Sequence, residues 1–212
     1  MMSLKKKSLA KEERTMATNQ WWASQTFWRK TAIWVTGGSL IVLILLTFDT
    51  LPQIAAGSKR VPAYSVINYR IEYKFDEARH VQAPVIGVKE PLFGKELSEQ
   101  EAEALVKLGK LTTQAKNCMN CHTLLGNGAY YAPDLTKAWL DQNWGTKELR
   151  EEQMVEFIKN PSDKLHNSIG RRMPKLGVTD EEAHGVVAFL KWMSSIDTNG
   201  FPYNFKPIEQ EN

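Results

Sequence analysis

Cys118 and Cys121, with His122 directly behind the second thiol, constrain this chain more than any other feature. They are its only cysteines, which excludes a multi-disulfide framework. Two thiols at this spacing can each add to a vinyl group of one haem, and the following histidine then sits below the iron as proximal ligand. Two other chemistries use such a pair. A thioredoxin-like dithiol needs a preceding strand in a βαβ context, whereas the pattern upstream of Cys118 is helical. A four-ligand zinc site needs further cysteines or closely spaced histidines, and His166 and His184 are far apart in the chain. The expectation is one covalent haem c on Cys118 and Cys121, with His122 on the iron.

The flanks fit a small haem domain. Ser98-Glu99-Gln100-Glu101 is a capping box that opens a helix, with Ala102, Leu105, Leu108 and Ala115 near helical spacing. Thr179-Asp180-Glu181-Glu182 opens another, with Ala183, Val186, Val187, Leu190, Met193 and Ile196 on one face. Between them, residues 149–159 read as a third helix, stopped by Asn160-Pro161.

Electron transfer without substrate binding needs a sixth ligand on the iron. Met154, Met173, Met193, His166 and His184 follow the motif. Met154 and Met193 fall within apolar helical patterns and read as core, and His184 reads as a surface or packing residue of the last helix. Met173, in Gly170-Arg171-Arg172-Met173-Pro174, lies in a loop that can bring a thioether to the distal face. Met173 is the favoured ligand; His166 and an open position are the alternatives. A His/Met pair raises the reduction potential. Arg171 and Arg172 are candidate partners for haem propionates, because guanidinium matches carboxylate geometry; a solvated basic pair is the alternative.

Residues 31–48 carry no charge, a run of 18 residues against the ~20 needed to span a bilayer. Trp21, Trp22, Trp28 and Trp34 crowd its upstream edge, as in an interfacial aromatic belt. Seven basic against two acidic side chains in residues 1–30 leave the remaining chain at −2, out of +3 overall. The basic arm then stays in the cytoplasm, and everything after about residue 50 lies outside. A signal peptide cleaved near Ile54-Ala55-Ala56-Gly57 or a buried core helix would explain the run instead, but the leading arm and the apolar run are both long for a signal. The small net charge also argues against a dedicated nucleic-acid binder.

Between these parts, Ile67, Tyr69, Ile71, Tyr73 and Phe75 alternate with polar residues, the period of a half-buried strand. Residues 76–79 can turn, and residues 80–88 can return as a second strand that Pro84 confines to an edge or bulge. His80 reads as a hairpin surface residue. The hairpin is either a spacer or a docking surface.

With these residues in view, the chain resembles the cytochrome c subunit of bacterial nitric oxide reductase. The resemblance is carried by the run from Cys118 through His122-Thr123-Leu124-Leu125-Gly126-Asn127-Gly128-Ala129-Tyr130-Tyr131-Ala132-Pro133-Asp134-Leu135, then Arg171-Arg172-Met173-Pro174, then Phe189-Leu190-Lys191-Trp192 with Ile196-Asp197-Thr198-Asn199. It implies a mainly α chain: a cytoplasmic basic segment (1–30), a transmembrane helix (31–51), a linker with a β-hairpin insert (52–97) and a class I-type cytochrome c domain (98–212). It implies His122 and Met173 as axial ligands. Gly128, through its carbonyl, and Tyr130 would reach a calcium ion where the catalytic subunit docks; a turn glycine and a packing aromatic are the alternatives. The implied location is the bacterial inner membrane, single-pass, with the haem domain in the periplasm. The implied partners are a soluble cytochrome c or cupredoxin donor and a multi-helix, haem b-containing catalytic subunit that reduces NO to nitrous oxide. No acid–base or nucleophilic constellation marks this chain, so no catalysis is expected from it alone. A haem–copper oxygen reductase subunit, a stand-alone tethered cytochrome shuttle or sensor and a thiol oxidoreductase are the rivals. Two departures stand out: residues 59–97 are longer than the family's usual linker, and Thr113 stands where an aromatic is common.

Overall fold

The computed structural model describes residues 21–58, 61–161, 171–203 and 205. The chain divides into two compact units, one ending at Pro52 and the other beginning at Gln53.

The first unit is one apolar helix, α1 (Gln25–Ile54), none of whose side chains is buried. Its 30 residues make it long and apolar enough to cross a membrane, at roughly 45 Å for a rise of 1.5 Å per residue. The helix extends the uncharged run at both ends. The Thr47 and Thr50 hydroxyls donate to the carbonyls of Leu43 and Leu46, both at 2.7 Å, so these polar groups are satisfied within the helix. Ahead of it, the Trp28 indole donates to the Trp22 carbonyl, and Trp21 meets Phe27 edge-on at 4.9 Å.

The second unit opens with a hairpin. Strand β1 (Tyr69–Asp76) pairs antiparallel with β2 (Val81–Lys89), Tyr73 facing Pro84 and Phe75 facing Gln82. In a two-stranded sheet β2 is an edge, where proline is tolerated. The turn is held by Asp76, whose carboxylate accepts the Ala78 and Arg79 amides at 3.0 and 3.2 Å. His80 adopts φ +52° in this connection and its ring lies 6.3 Å from that of Phe75. The strand begins later than the alternation predicts. Ile67 belongs instead to a 3-10 turn over Tyr64–Asn68, where it is fully buried. Phe75 lies 49% exposed, because the apolar face of β1 runs past the rim of the core.

The hairpin region packs into the helical core rather than standing apart as a spacer. Ile67, Ile71, Tyr73 and Leu92 share one cluster with Val106, Val187 and Met193. An isolated hairpin is marginal in water, so this burial sustains it. Polar contacts fix its root: the buried Asn68 side chain donates to the Leu97 carbonyl (2.7 Å) and accepts the Leu97 amide (2.9 Å).

Three helices follow: α2 (Glu99–Ala115), α3 (Arg150–Lys159) and α4 (Asp180–Ser194). Both capping boxes form, Ser98 with Glu101 and Thr179 with Glu182. The buried stripe of α2 differs from the predicted one. It runs through Ala102, Val106, Gly109, Thr112 and Thr113, while Ala115 is exposed. The cause is a backbone-to-backbone crossing with α4: a Cβ at Gly109 would stand 1.9 Å from the Gly185 carbonyl oxygen. Met154 and Met193 are core residues. His184 packs on Phe93 at 4.4 Å between ring centres.

Three cations are buried in this unit. Arg150 and Lys191 both lie over the Trp139 ring, at 4.2 and 5.0 Å. Arg150 donates to the Trp139 carbonyl (3.0 Å) and Lys191 to that of Glu90 (3.2 Å), tying α3 and α4 to the hairpin region. Burial pushes their pKa values down to about 10 and about 8. Lys137 is the third.

The glycine crossing yields a direct test. Gly109→Ala forces the two helices apart, and overpacking of this kind costs at least ~2 kcal/mol. The thermal midpoint should fall by several degrees, measured by circular dichroism; an unchanged midpoint would mean that the helices do not need this approach.

Candidate haem-binding site

The C-terminus of α2 feeds the cysteines directly into a tight turn. Asn117 takes φ +55° and ends the helix, and Cys118–Asn120 form a single 3-10 turn. The Cys118 carbonyl accepts the amides of Cys121 (3.2 Å) and His122 (3.0 Å), which folds the two thiols and the imidazole onto one short segment. Burial pushes the Cys118 thiol up. That is the reverse of the lowered pKa that activates a dithiol oxidoreductase.

The following loop wraps back on this segment. Ala132 donates to the Cys121 carbonyl (2.7 Å) and Leu135 to that of Thr123 (2.8 Å). Asp134 organises the interior: its carboxylate accepts the Thr123 hydroxyl (2.6 Å), the Gly126 amide (3.3 Å) and the Thr136 amide (2.8 Å). The short strands β3 (Thr123–Leu124) and β4 (Asn127–Gly128) pair within it.

The loop also orients His122. Its Nδ1 lies 2.7 Å from the Pro133 carbonyl oxygen. A carbonyl only accepts, so Nδ1 carries the proton and Nε2 keeps its lone pair free for a metal. Burial also lowers the imidazole pKa, which favours this neutral form.

A cavity of about 610 Å³ opens against this face of the loop. Cys118, Cys121 and His122 line it, and so do Arg171, Arg172 and Met173 from the segment before α4. Val186 and Leu190 of α4 and Met154 of α3 add to its mainly apolar lining. Thr113 also reaches it, with its hydroxyl turned back to the Lys110 carbonyl at 2.7 Å. A small side chain at 113 therefore leaves space that an aromatic would fill. The Arg171 guanidinium lies 5.1 Å over the Tyr131 ring and donates to the Tyr131 carbonyl. The fit to a haem is good: paired thiols, an imidazole with free Nε2, an apolar envelope of suitable size, and two guanidinium groups at its wall.

The remaining candidates stand elsewhere. Gly128 and Tyr130 are not part of the cavity lining. Gly128 has φ +125°, and a Cβ there would lie 2.2 Å from the His122 carbonyl oxygen, so this position needs glycine for backbone reasons alone. Tyr130 is 79% exposed and its hydroxyl donates to the Gly126 carbonyl at 3.0 Å. Among the described residues, no group of three or more His, Cys, Asp or Glu side chains could hold a metal ion. His166 lies outside the described residues. Sequence reasoning missed the Pro133 carbonyl and the Asp134 carboxylate as organisers of the loop; only the fold brings them to His122 and Thr123.

Comparison with known proteins decides the family. A model of the cytochrome c family matches residues 106–194, the span that builds most of this cavity. The chain is 33% identical over 115 residues to the nitric oxide reductase cytochrome c subunit of Stutzerimonas stutzeri, covering 54% of this chain and 76% of that one. It is 35% identical over 112 residues to the corresponding protein of Paracoccus denitrificans, covering 52% and 73%. The chain belongs to the family of nitric oxide reductase cytochrome c subunits. Its helical domain is thus a cytochrome c domain, and haem c is the cofactor that this domain takes. In this family member the hairpin between Tyr69 and Lys89 shares the core of the cytochrome domain.

Gly128→Ala tests the loop geometry. The methyl group must displace the His122 backbone and also strain a positive φ, a combined cost of order 1–3 kcal/mol. The variant should hold haem less firmly, read as loss of haem absorbance on heating at lower temperature than the parent chain.

Proposed function

We propose that this chain is a membrane-anchored electron relay. It takes electrons one at a time from a soluble cytochrome c or cupredoxin and hands them to haem b of a multi-helix catalytic subunit, which reduces NO to nitrous oxide. The observation that carries this reading is the cavity shared by Cys118, Cys121, His122 and Met173 in a chain of this reductase family. When bound, haem c supplies one-electron chemistry at its iron.

Each residue has a distinct part. Cys118 and Cys121 hold the group through thioether bonds. His122 binds the iron through Nε2, and the Pro133 carbonyl fixes its ring. Met173 supplies the sixth ligand, and the pairing of thioether with imidazole sets a high reduction potential. Arg171 and Arg172 neutralise the propionates. The apolar wall excludes water and so keeps the iron from binding exogenous ligands. The Gly128 carbonyl and Tyr130 reach a calcium ion at the contact with the catalytic subunit, a role compatible with the exposure of Tyr130. The α1 helix holds the chain in the bacterial inner membrane as a single span. The basic residues of 1–30 stay in the cytoplasm, and the haem domain faces the periplasm.

Two experiments test this reading. The tagged chain, purified from its own membranes in mild detergent, should carry haem b beside haem c in a pyridine haemochrome assay. The preparation should consume NO when given a reduced donor. Haem c alone, without NO consumption, would favour a tethered shuttle, and copper in the preparation would favour an oxygen reductase. In the second, Met173→Ala should leave haem attached, lower its potential and open the iron to added imidazole. An unchanged potential would remove Met173 from the iron.

A further inference from the structure

Lys137 is 1% exposed, in a domain whose task is to change charge by one electron at a time. Its Nζ donates to the Ile196 carbonyl at 2.6 Å and to the Ser194 carbonyl at 3.3 Å, at the C-terminal end of α4. It also lies 5.0 Å from the centre of the Tyr73 ring on β1. A helix C-terminus favours a cation, which explains why an ammonium is tolerated there.

Three titratable groups face Lys137. The phenol of Tyr73 comes from β1, and burial holds it protonated by raising its pKa. Asp134 approaches from the haem loop and Asp197 from the segment after α4; both attract the ammonium through space. Each carboxylate also serves other partners, Asp134 holding Thr123, Gly126 and Thr136, and Asp197 holding Arg79 at 2.7 Å. The Thr136 carbonyl accepts the Ser194 hydroxyl at 3.5 Å and closes the site.

Lys137 is also next to the cavity. Asp134, Leu135 and Ala138, on either side of it in sequence, line the cavity wall, while Lys137 points into the core behind that wall. Charges separated by packed protein rather than water are weakly screened, so a change of one charge in the cavity is felt at this ammonium.

We propose that Lys137 is a proton-binding site linked to the redox state of the haem. The inference rests on the haem c reading above. Lys137 gains a proton from solvent as the chain takes up an electron, and returns it as the electron leaves, so the two charge changes cancel inside the domain. Burial brings its pKa down to about 7, which lets both forms exist near neutral pH. The sign follows: a reduced iron carries one positive charge less, favours the ammonium and raises its pKa. Between the oxidised-state and reduced-state pKa values, the reduction potential must fall as pH rises.

The test is a potentiometric titration of the haem-loaded full chain in detergent from about pH 6 to about pH 9, a range that begins near the ordinary histidine pKa and ends below that of an ordinary lysine. The wild-type midpoint should fall with pH through this range. Lys137→Arg, which keeps a permanent cation, should abolish the fall and hold the potential at its acid-side value. A wild-type potential independent of pH overturns the proposal. So does a slope that survives in Lys137→Arg, which would place the proton on another group, such as a propionate. Should Lys137→Arg fail to fold, 13C resonances of labelled lysine Cε in the wild-type chain read the same quantity; an equal Lys137 pKa in both redox states overturns the proposal. The absorption spectrum separates the two levels: a chain without covalent haem defeats the underlying reading, whereas a pH slope indifferent to Lys137 defeats only this one.

Discussion

The contact on which the rest of the cytochrome domain depends is the approach of α2 to α4 at Gly109 and Gly185. A Cβ on Gly185 would stand 2.9 Å from the Gly109 nitrogen, and one on Gly109 would strike the Gly185 carbonyl. Only backbone fits between them. This closeness fixes where α2 ends, and α2 delivers Cys118, Cys121 and His122 within seven residues of its last turn. It also fixes α4, whose Val186 and Leu190 form part of the cavity wall. The site is therefore framed by the helix crossing before any cofactor contact is made.

A second layer of control comes from the loop after His122. Asp134 binds the loop together by accepting three hydrogen bonds, and Pro133 offers its carbonyl to the imidazole. The loop therefore orients the histidine rather than merely covering it. The same stretch leads into Thr136 and Lys137, which lock onto the end of α4. Hairpin, haem loop and last helix meet around Tyr73, Lys137 and Asp197. A longer insert than is usual in the family is thereby joined to the domain that holds the cofactor.

Local chemistry is readable from the sequence, and long-range geometry is not. The capping boxes at Ser98 and Thr179 mark the starts of α2 and α4, because the signal sits within four residues. The hairpin is readable from its period of two and from Pro84. The buried stripe of α2 is not, since Gly109, Thr112 and Thr113 carry no apolar signal and are buried only because α4 and the cavity lie against them. Ile67 reads as part of the strand because a 3-10 turn can bury a residue that alternation also places on the core face. In the site, the Cys118–His122 spacing makes the cofactor class legible. The partners of His122 and the buried setting of Lys137 depend on contacts across 11 and 59 residues, which no local pattern records.

The central claim is that the cavity holds a haem bonded to Cys118 and Cys121. The most direct measurement is the intact mass of the full chain after denaturation, expressed with the machinery that attaches haem c. The account predicts that the denatured polypeptide keeps the added mass of one haem and offers no free thiol to an alkylating reagent. A bare polypeptide that takes up two equivalents of the reagent would contradict it.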